Sequence, residues 1–141
     1  MTKDVLLTIQ GLQFAAEEGS ENLETTTRAE YYKKNDTHYI MYEEIVEGFQ
    51  NGIKSMIKFN DKTMSLTKKG VVNAHLVFEE NKKNITNYQT PYGELFVGID
   101  TRQIQMKEEE DRIQVEIDYE LEMNYEHLAD CNIKMNICAS K

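Results

Sequence analysis

Between residues 113 and 123 the chain alternates without a slip. Ile113, Val115, Ile117, Tyr119, Leu121 and Met123 are apolar, and Gln114, Glu116, Asp118, Glu120 and Glu122 between them are polar. A period of two marks a strand with one dry and one wet face, since a helix would scatter the same residues around its circumference. Eleven residues at about 3.3 Å each span roughly 36 Å. A small domain holds a strand this long only if it tilts and coils, as in a barrel.

The pattern recurs along the chain. Val5, Leu7 and Ile9 predict a first strand, and the Thr- and Tyr-rich segment Leu23–Tyr32 a second, with 37–44 following after Asn35-Asp36. Ile53, Ile57 and Phe59 alternate with Lys54 and Lys58, which leaves Ser55 on the dry side and Met56 on the wet one. Asn60-Asp61 reads as a two-residue hairpin loop before Met64 and Leu66. Ala74, Leu76 and Phe78 mark a further strand, closed by the polar turn Glu80-Asn81-Lys82-Lys83. Leu95, Val97 and Ile99 mark another, and Ile133, Met135 and Ile137 the last. Helical signals are confined to a turn or two at Phe14–Gly19 and Tyr125–Asp130. Connections this short require antiparallel neighbours, because a parallel pair needs a long crossover. The expected fold is all-β, an antiparallel up-and-down β-barrel of about 8–10 strands, with residues 1–141 as a single β-barrel domain.

Charge narrows the partners. Lys plus Arg number 16 against 25 Asp plus Glu, a net charge of −9. Such a field repels nucleic acid and anionic membrane, so neither is an expected partner. No apolar run approaches the roughly 18 residues of a membrane-spanning helix. Asp4 also interrupts the place where a secretory leader builds its apolar stretch. Cys131 and Cys138 are an odd number of residues apart in one strand, so they face opposite sides and do not bridge. The expectation is a cytoplasmic protein with reduced thiols. The sequence carries no signal of oligomeric state.

One stretch is more specific than a strand pattern. Lys69-Gly70, Phe78, Tyr88-Gln89-Thr90-Pro91-Tyr92-Gly93 and Thr101 together resemble the DUF1934 family of uncharacterised bacterial proteins. Tyr31-Tyr32, Tyr42-Glu43-Glu44 and Gly52 upstream, and Tyr119, Leu121 and Asn132-Ile133 downstream, fall where that family has similar residues. The resemblance therefore covers nearly the whole chain. Two positions depart from it: Lys69 stands where the family usually has Arg, and Ala29 where it often has Gly. The resemblance implies a calycin-like (lipocalin-like) barrel and supplies no activity. The Gly-x-Trp signature of true lipocalins is absent, since the chain has no tryptophan. Likeness of shape is a weak warrant for function.

Chemistry-bearing residues are sparse. Pro91 fixes its own φ and holds Thr90 extended, and Gly93 permits a turn. Tyr88 and Tyr92 around them are suited to line a barrel mouth with aromatic faces and hydroxyls, or to pin a structural corner. Lys69, with Lys68 beside it, offers a cation for a carboxylate or phosphate, or reads as a solvated hairpin end. Arg28 and Arg102 are similar single cations. Glu116, Asp118, Glu120 and Glu122 sit roughly 6.6 Å apart along one face, too far to crowd round one Ca²⁺, and read as a solvated outer wall.

His38, His75 and His127 lack metal-ligand spacing and the cysteines form no CxxC, so no metal is expected. No cofactor fingerprint occurs, and no cofactor is expected. His127 and Cys131 would meet in one helical turn, but Glu126 and Asp130 raise a nearby thiol's pKa, the wrong direction for a nucleophile. The enzymatic signal is close to nil. The expected function is a barrel that binds a small, partly apolar ligand through Tyr42, Lys69, Tyr88, Thr90 and Tyr92. The alternative is an interaction or regulatory protein that works through its outer surface, with a filled barrel core.

Overall fold

A computed structural model describes residues 3–11, 24–45, 48, 52–91 and 93–139. Ten strands are formed within them: β1 (Asp4–Gln10), β2 (Glu24–Lys34), β3 (Thr37–Glu44), β4 (Ile53–Phe59), β5 (Thr63–Gly70), β6 (Ala74–Glu79), β7 (Lys82–Thr90), β8 (Gly93–Glu108), β9 (Arg112–Met123) and β10 (Glu126–Ala139). All pairs are antiparallel, and the sheet order is β6-β5-β4-β3-β2-β1-β10-β9-β8-β7. This is the up-and-down barrel that the alternation predicts. The two sheet ends, β6 and β7, meet through paired backbone bonds between Asn73 and Gln89 (3.0 and 2.9 Å) and through Asn84 Nδ2, which donates to the Val77 carbonyl at 3.5 Å. Among the described residues no ladder joins β6 to β7, so the barrel is nearly but not fully closed.

Local chemistry sets the turns. Asn35 and Asp36 take positive φ (51° and 64°), as do Asn124 and Tyr125 (50° and 70°). Two such residues make the hairpin loop whose twist matches its flanking strands, and Asn and Asp tolerate that backbone best. The helical turn expected over Tyr125–Asp130 is therefore not formed. Instead β10 starts at Glu126 and carries Leu128 as a bulge between His127 and Ala129. The other helical expectation, Phe14–Gly19, lies outside the described residues. The β4–β5 loop is one residue longer than expected, because Asn60 Oδ1 accepts bonds from the amides of Lys62 (2.8 Å) and Thr63 (3.0 Å).

Inward-facing side chains form one continuous apolar cluster drawn from all ten strands. Tyr119, Phe59 and Phe78 are its largest fully buried members, and Phe78 meets Tyr119 edge-on at 5.2 Å. Burial of each aliphatic or aromatic side chain contributes about 1.5–3 kcal/mol. In β8 the inward side changes from Val97, Ile99 and Thr101 to Ile104, because Arg102 is an extra residue between the pairs Thr101–Tyr119 and Gln103–Asp118. Four polar side chains also point inward: His38, Ser55, Lys68 and Thr101.

Candidate functional site

The barrel wall parts between β2 and β3. Their ladder runs from Lys34 opposite Thr37 to Glu30 opposite Met41, and among the described residues it goes no further. Above that point β2 continues only along β1, with Arg28 opposite Leu6 and Glu24 opposite Gln10. Meanwhile β3 continues only along β4, with Tyr42 opposite Ser55 and Glu43 opposite Lys54. A cleft of about 700 Å³ lies at this parting. Met41 and Met56, directly paired across β3 and β4, supply its apolar lining. Inward-facing Ala29, Tyr42 and Ser55 line it too, so the cleft reaches from the outer surface to the barrel's interior side chains. Three cations, Arg28, Lys54 and Lys69, complete the lining alongside Asp4, Glu30 and Glu43. Among the described residues none of these three cations makes an ion pair within 4.0 Å.

Behind the cleft is a polar cluster. Lys68 Nζ and Ser55 Oγ both donate to Glu44 Oε1, each at 3.3 Å. Tyr42, opposite Ser55 in the β3–β4 ladder, lies close enough to Glu44 for the carboxylate to act on its phenol. Burial first, and then the Glu44 carboxylate, push the Tyr42 phenol well above its ordinary pKa. It therefore stays protonated.

The expected site residues are divided by this arrangement. Tyr42 and Lys69 both line the cleft, Lys69 from the outer face. Tyr88 is buried and close enough to Tyr42 to act on it electrostatically. Thr90 Oγ1 donates to the Gly93 carbonyl at 2.9 Å within the β7–β8 hairpin, so its hydroxyl holds a corner. Tyr92 lies outside the described residues. The Lys69-Gly70 step is set by backbone proximity. Gly70 has φ 136°, and a Cβ there would overlap the Gly52 carbonyl oxygen.

The sequence reading named Lys68 only as the neighbour of Lys69, and did not count Glu44 or Ser55 among the site residues. A signal for Lys68 was present: Met64 and Leu66 are inward, and a period of two puts Lys68 inward with them. The internal cation is therefore Lys68, and Lys69 is the outer one.

A second polar chain closes the opposite end of the barrel. Tyr31 Oη and His38 Nδ1 are 2.7 Å apart, His38 Nε2 and Glu108 Oε1 are 3.6 Å apart, and Lys33 Nζ donates to Glu108 Oε2 at 3.3 Å. The His38 ring stacks on Phe59 at 4.8 Å. Burial lowers the His38 pKa against the pull of Glu108, and burial together with Glu108 raises that of Tyr31. The lowered pKa favours the neutral imidazole, and its tautomer sets which of Tyr31 Oη and His38 Nδ1 donates. Glu120, His127 and Asp130 are grouped closely enough to share a metal ion. Arg102, however, is paired with Glu120 and lies 3.6 Å from Asp130, which uses this group internally. Cys131 and Cys138 are both free, and burial raises the Cys131 thiol's pKa, with Asp130 adding to it.

The sequence profile of DUF1934, a domain of unknown function, matches residues 7–135. The chain belongs to this family. A curated DUF1934 relative, the uncharacterized beta-barrel protein YwiB of Bacillus subtilis, is 25% identical over 136 residues, 94% of each chain. The crystal structure of the ywiB protein from Bacillus subtilis superposes with a TM-score of 0.80 at 21% identity, over 99% of this chain and 93% of that one. At that identity the likeness establishes the barrel fold for this DUF1934 chain and nothing finer.

Proposed function

We propose that this DUF1934 protein is a binding module, and that its ligand is a small, partly apolar anion taken up in the cleft between β2 and β3. The observation that carries the reading is the end of the β2–β3 ladder at Glu30 and Met41. It leaves a cleft lined by paired methionines and by three cations without ion-pair partners among the described residues. Methionine side chains adapt to varied apolar shapes, and a pocket that combines apolar lining with a few polar groups is the usual form of a small-molecule site. The apolar cluster inside the barrel, with the cleft at its wall, favours a ligand at the wall over one in the middle of the barrel. The free thiols, on opposite faces of β10, fit a reducing compartment such as the cytoplasm.

The test is fluorescence titration with anilinonaphthalene sulfonate, an apolar anion. Saturable binding to the wild type is expected, weakened at least about tenfold by Lys54→Glu with Lys69→Glu, which sheds close to 1.4 kcal/mol. Equal affinity in that variant, with its unfolding midpoint unchanged, would remove the cleft from consideration.

A further inference from the structure

We propose that the inner end of the cleft is a carboxylate site, which the chain fills with its own Glu44 and which a ligand carboxylate takes over by displacing that side chain. The inference rests on the cleft reading and names the headgroup that the cleft accepts. Two donors, Ser55 and Lys68, form the site, and Tyr42 stands beside them. Tyr42 is paired with Ser55 across β3 and β4, and Ser55 with Lys68 across β4 and β5, so the three stand in one row on the inner face. All three are buried, at 7%, 4% and 9% exposure. Backbone ladders on both sides hold their spacing. Both Lys68 Nζ and Ser55 Oγ donate to the same oxygen of Glu44, and Tyr42 lies close enough for that carboxylate to act on it.

The acceptor differs from the donors in kind. Glu44 is outside the row, at the last residue of β3, and its side chain is 29% exposed. Ile45, which follows it, is 97% exposed. Two fixed, buried donors thus converge on an acid that has a route to solvent, while Ser55 and the neighbouring Tyr42 also line the cleft. Charge-assisted bonds of this kind recognise carboxylates strongly when the donors are preorganised. An ion pair in an apolar interior is, by contrast, a weak source of stability compared with apolar side chains of the same volume. The ligand class is a monocarboxylate with an apolar tail, its head on Ser55 and Lys68 beside Tyr42 and its tail against Met41 and Met56.

Glu44 is then an internal competitor, and apparent ligand affinity is reduced by the fraction of molecules in which it occupies the site. Octanoate is the probe, with octanol as its uncharged counterpart, and thermal unfolding and calorimetric titration of the full chain are the readouts. Glu44→Ala is expected to lower the unfolding midpoint. Octanoate, not octanol, should restore it saturably, and should bind the variant at least about tenfold more tightly than the wild type. Adding Lys68→Met should abolish the response. Should Glu44→Ala fail to fold, Glu44→Gln keeps the size, removes the charge and is expected to show the same gain in octanoate affinity. Octanoate affinity indifferent to Glu44, or an equal response to octanol, overturns the carboxylate site. If anilinonaphthalene sulfonate binding still depends on Lys54 and Lys69 in that event, the cleft reading stands without it.

Discussion

The wall built from β8, β9 and β10 and the wall built from β2 and β3 carry charge in opposite ways. The β9–β10 ladder runs from Met123 opposite Glu126 to Arg112 opposite Cys138, interrupted only by the bulge at Leu128. Its outer carboxylates all find partners within the protein. Asn132 Nδ2 donates to Glu116 at 3.0 Å and to Asp118 at 2.6 Å, Lys83 donates to Glu122 at 2.6 Å, and Arg102 pairs with Glu120. Where β2 leaves β3, this closure stops. Continued by two residues, that ladder would set Arg28 opposite Glu43. Instead the two strands take different partners, and Arg28 makes no ion pair among the described residues. Cross-strand neighbours about 5 Å apart can satisfy each other's charges in an unbroken sheet, although Glu43 and Lys54, opposite each other in the β3–β4 ladder, form no ion pair within 4.0 Å among the described residues. At a break the same residue types are left available to a ligand.

The comparison is sharpest between an inward side chain of the closed wall and an outward one at the break. Ile117 is fully buried and paired with Ile133 on one side and Ile104 on the other. Ile117→Ala should cost about 2–5 kcal/mol in urea unfolding, from lost burial and the cavity left behind. Met41→Ala, at the break, should cost less than about 1 kcal/mol, since the side chain is only half-buried and its neighbours have room to adjust. It should weaken anilinonaphthalene sulfonate binding none the less. Equal losses of stability would mean that the wall at β2 and β3 is as tightly closed as the wall at β9.

Strands with one dry face were legible because alternation alone sets which residues face inward, as in Ile113 to Leu121 and in the placing of Ser55 and Met56. Strand β7 was missed because only Tyr88 of its residues is fully buried, while its aliphatic residue, Ile85, points outward. The second half of β8 was missed because the bulge at Arg102 reverses the parity on which the reading depends. Of the site, Tyr42 and Lys69 were found by residue type. Glu44 and the parting of β2 from β3 were not, since a ladder's end depends on which strands pair across the barrel, and no short stretch of sequence records that.

The two ends of the barrel offer an intermediate effect. His38 is buried with its pKa lowered, chiefly by burial, from an unfolded value of 6.5. The unfolded chain therefore takes up a proton at higher pH than the folded one does. Stability on this account is complete above pH 6.5 and declines as pH falls below it, until the lowered folded-state value has been passed. One such group changes stability by at most about 1.4 kcal/mol per pH unit. Urea unfolding across this range should show the decline in the wild type and a shallower one in His38→Phe. An identical slope in both would mean that the Tyr31–His38–Glu108 chain does not sense pH.

The smallest effect separates local geometry from net charge. Lys83 lies on the closed wall, paired with Glu122 at 2.6 Å, and Lys54 lies at the break with no such partner among the described residues. Lys83→Ala and Lys54→Ala each make the protein one unit more acidic, so any general repulsion of an anionic probe changes equally in both. Lys83→Ala should cost less than about 1 kcal/mol of stability, with the loss fading at high salt. Its affinity for anilinonaphthalene sulfonate should be that of the wild type, whereas Lys54→Ala should bind the probe more weakly at unchanged stability. A matched drop in affinity from both substitutions would show that the probe senses the protein's overall field. The cations at the break would then have no special standing over those on the closed wall.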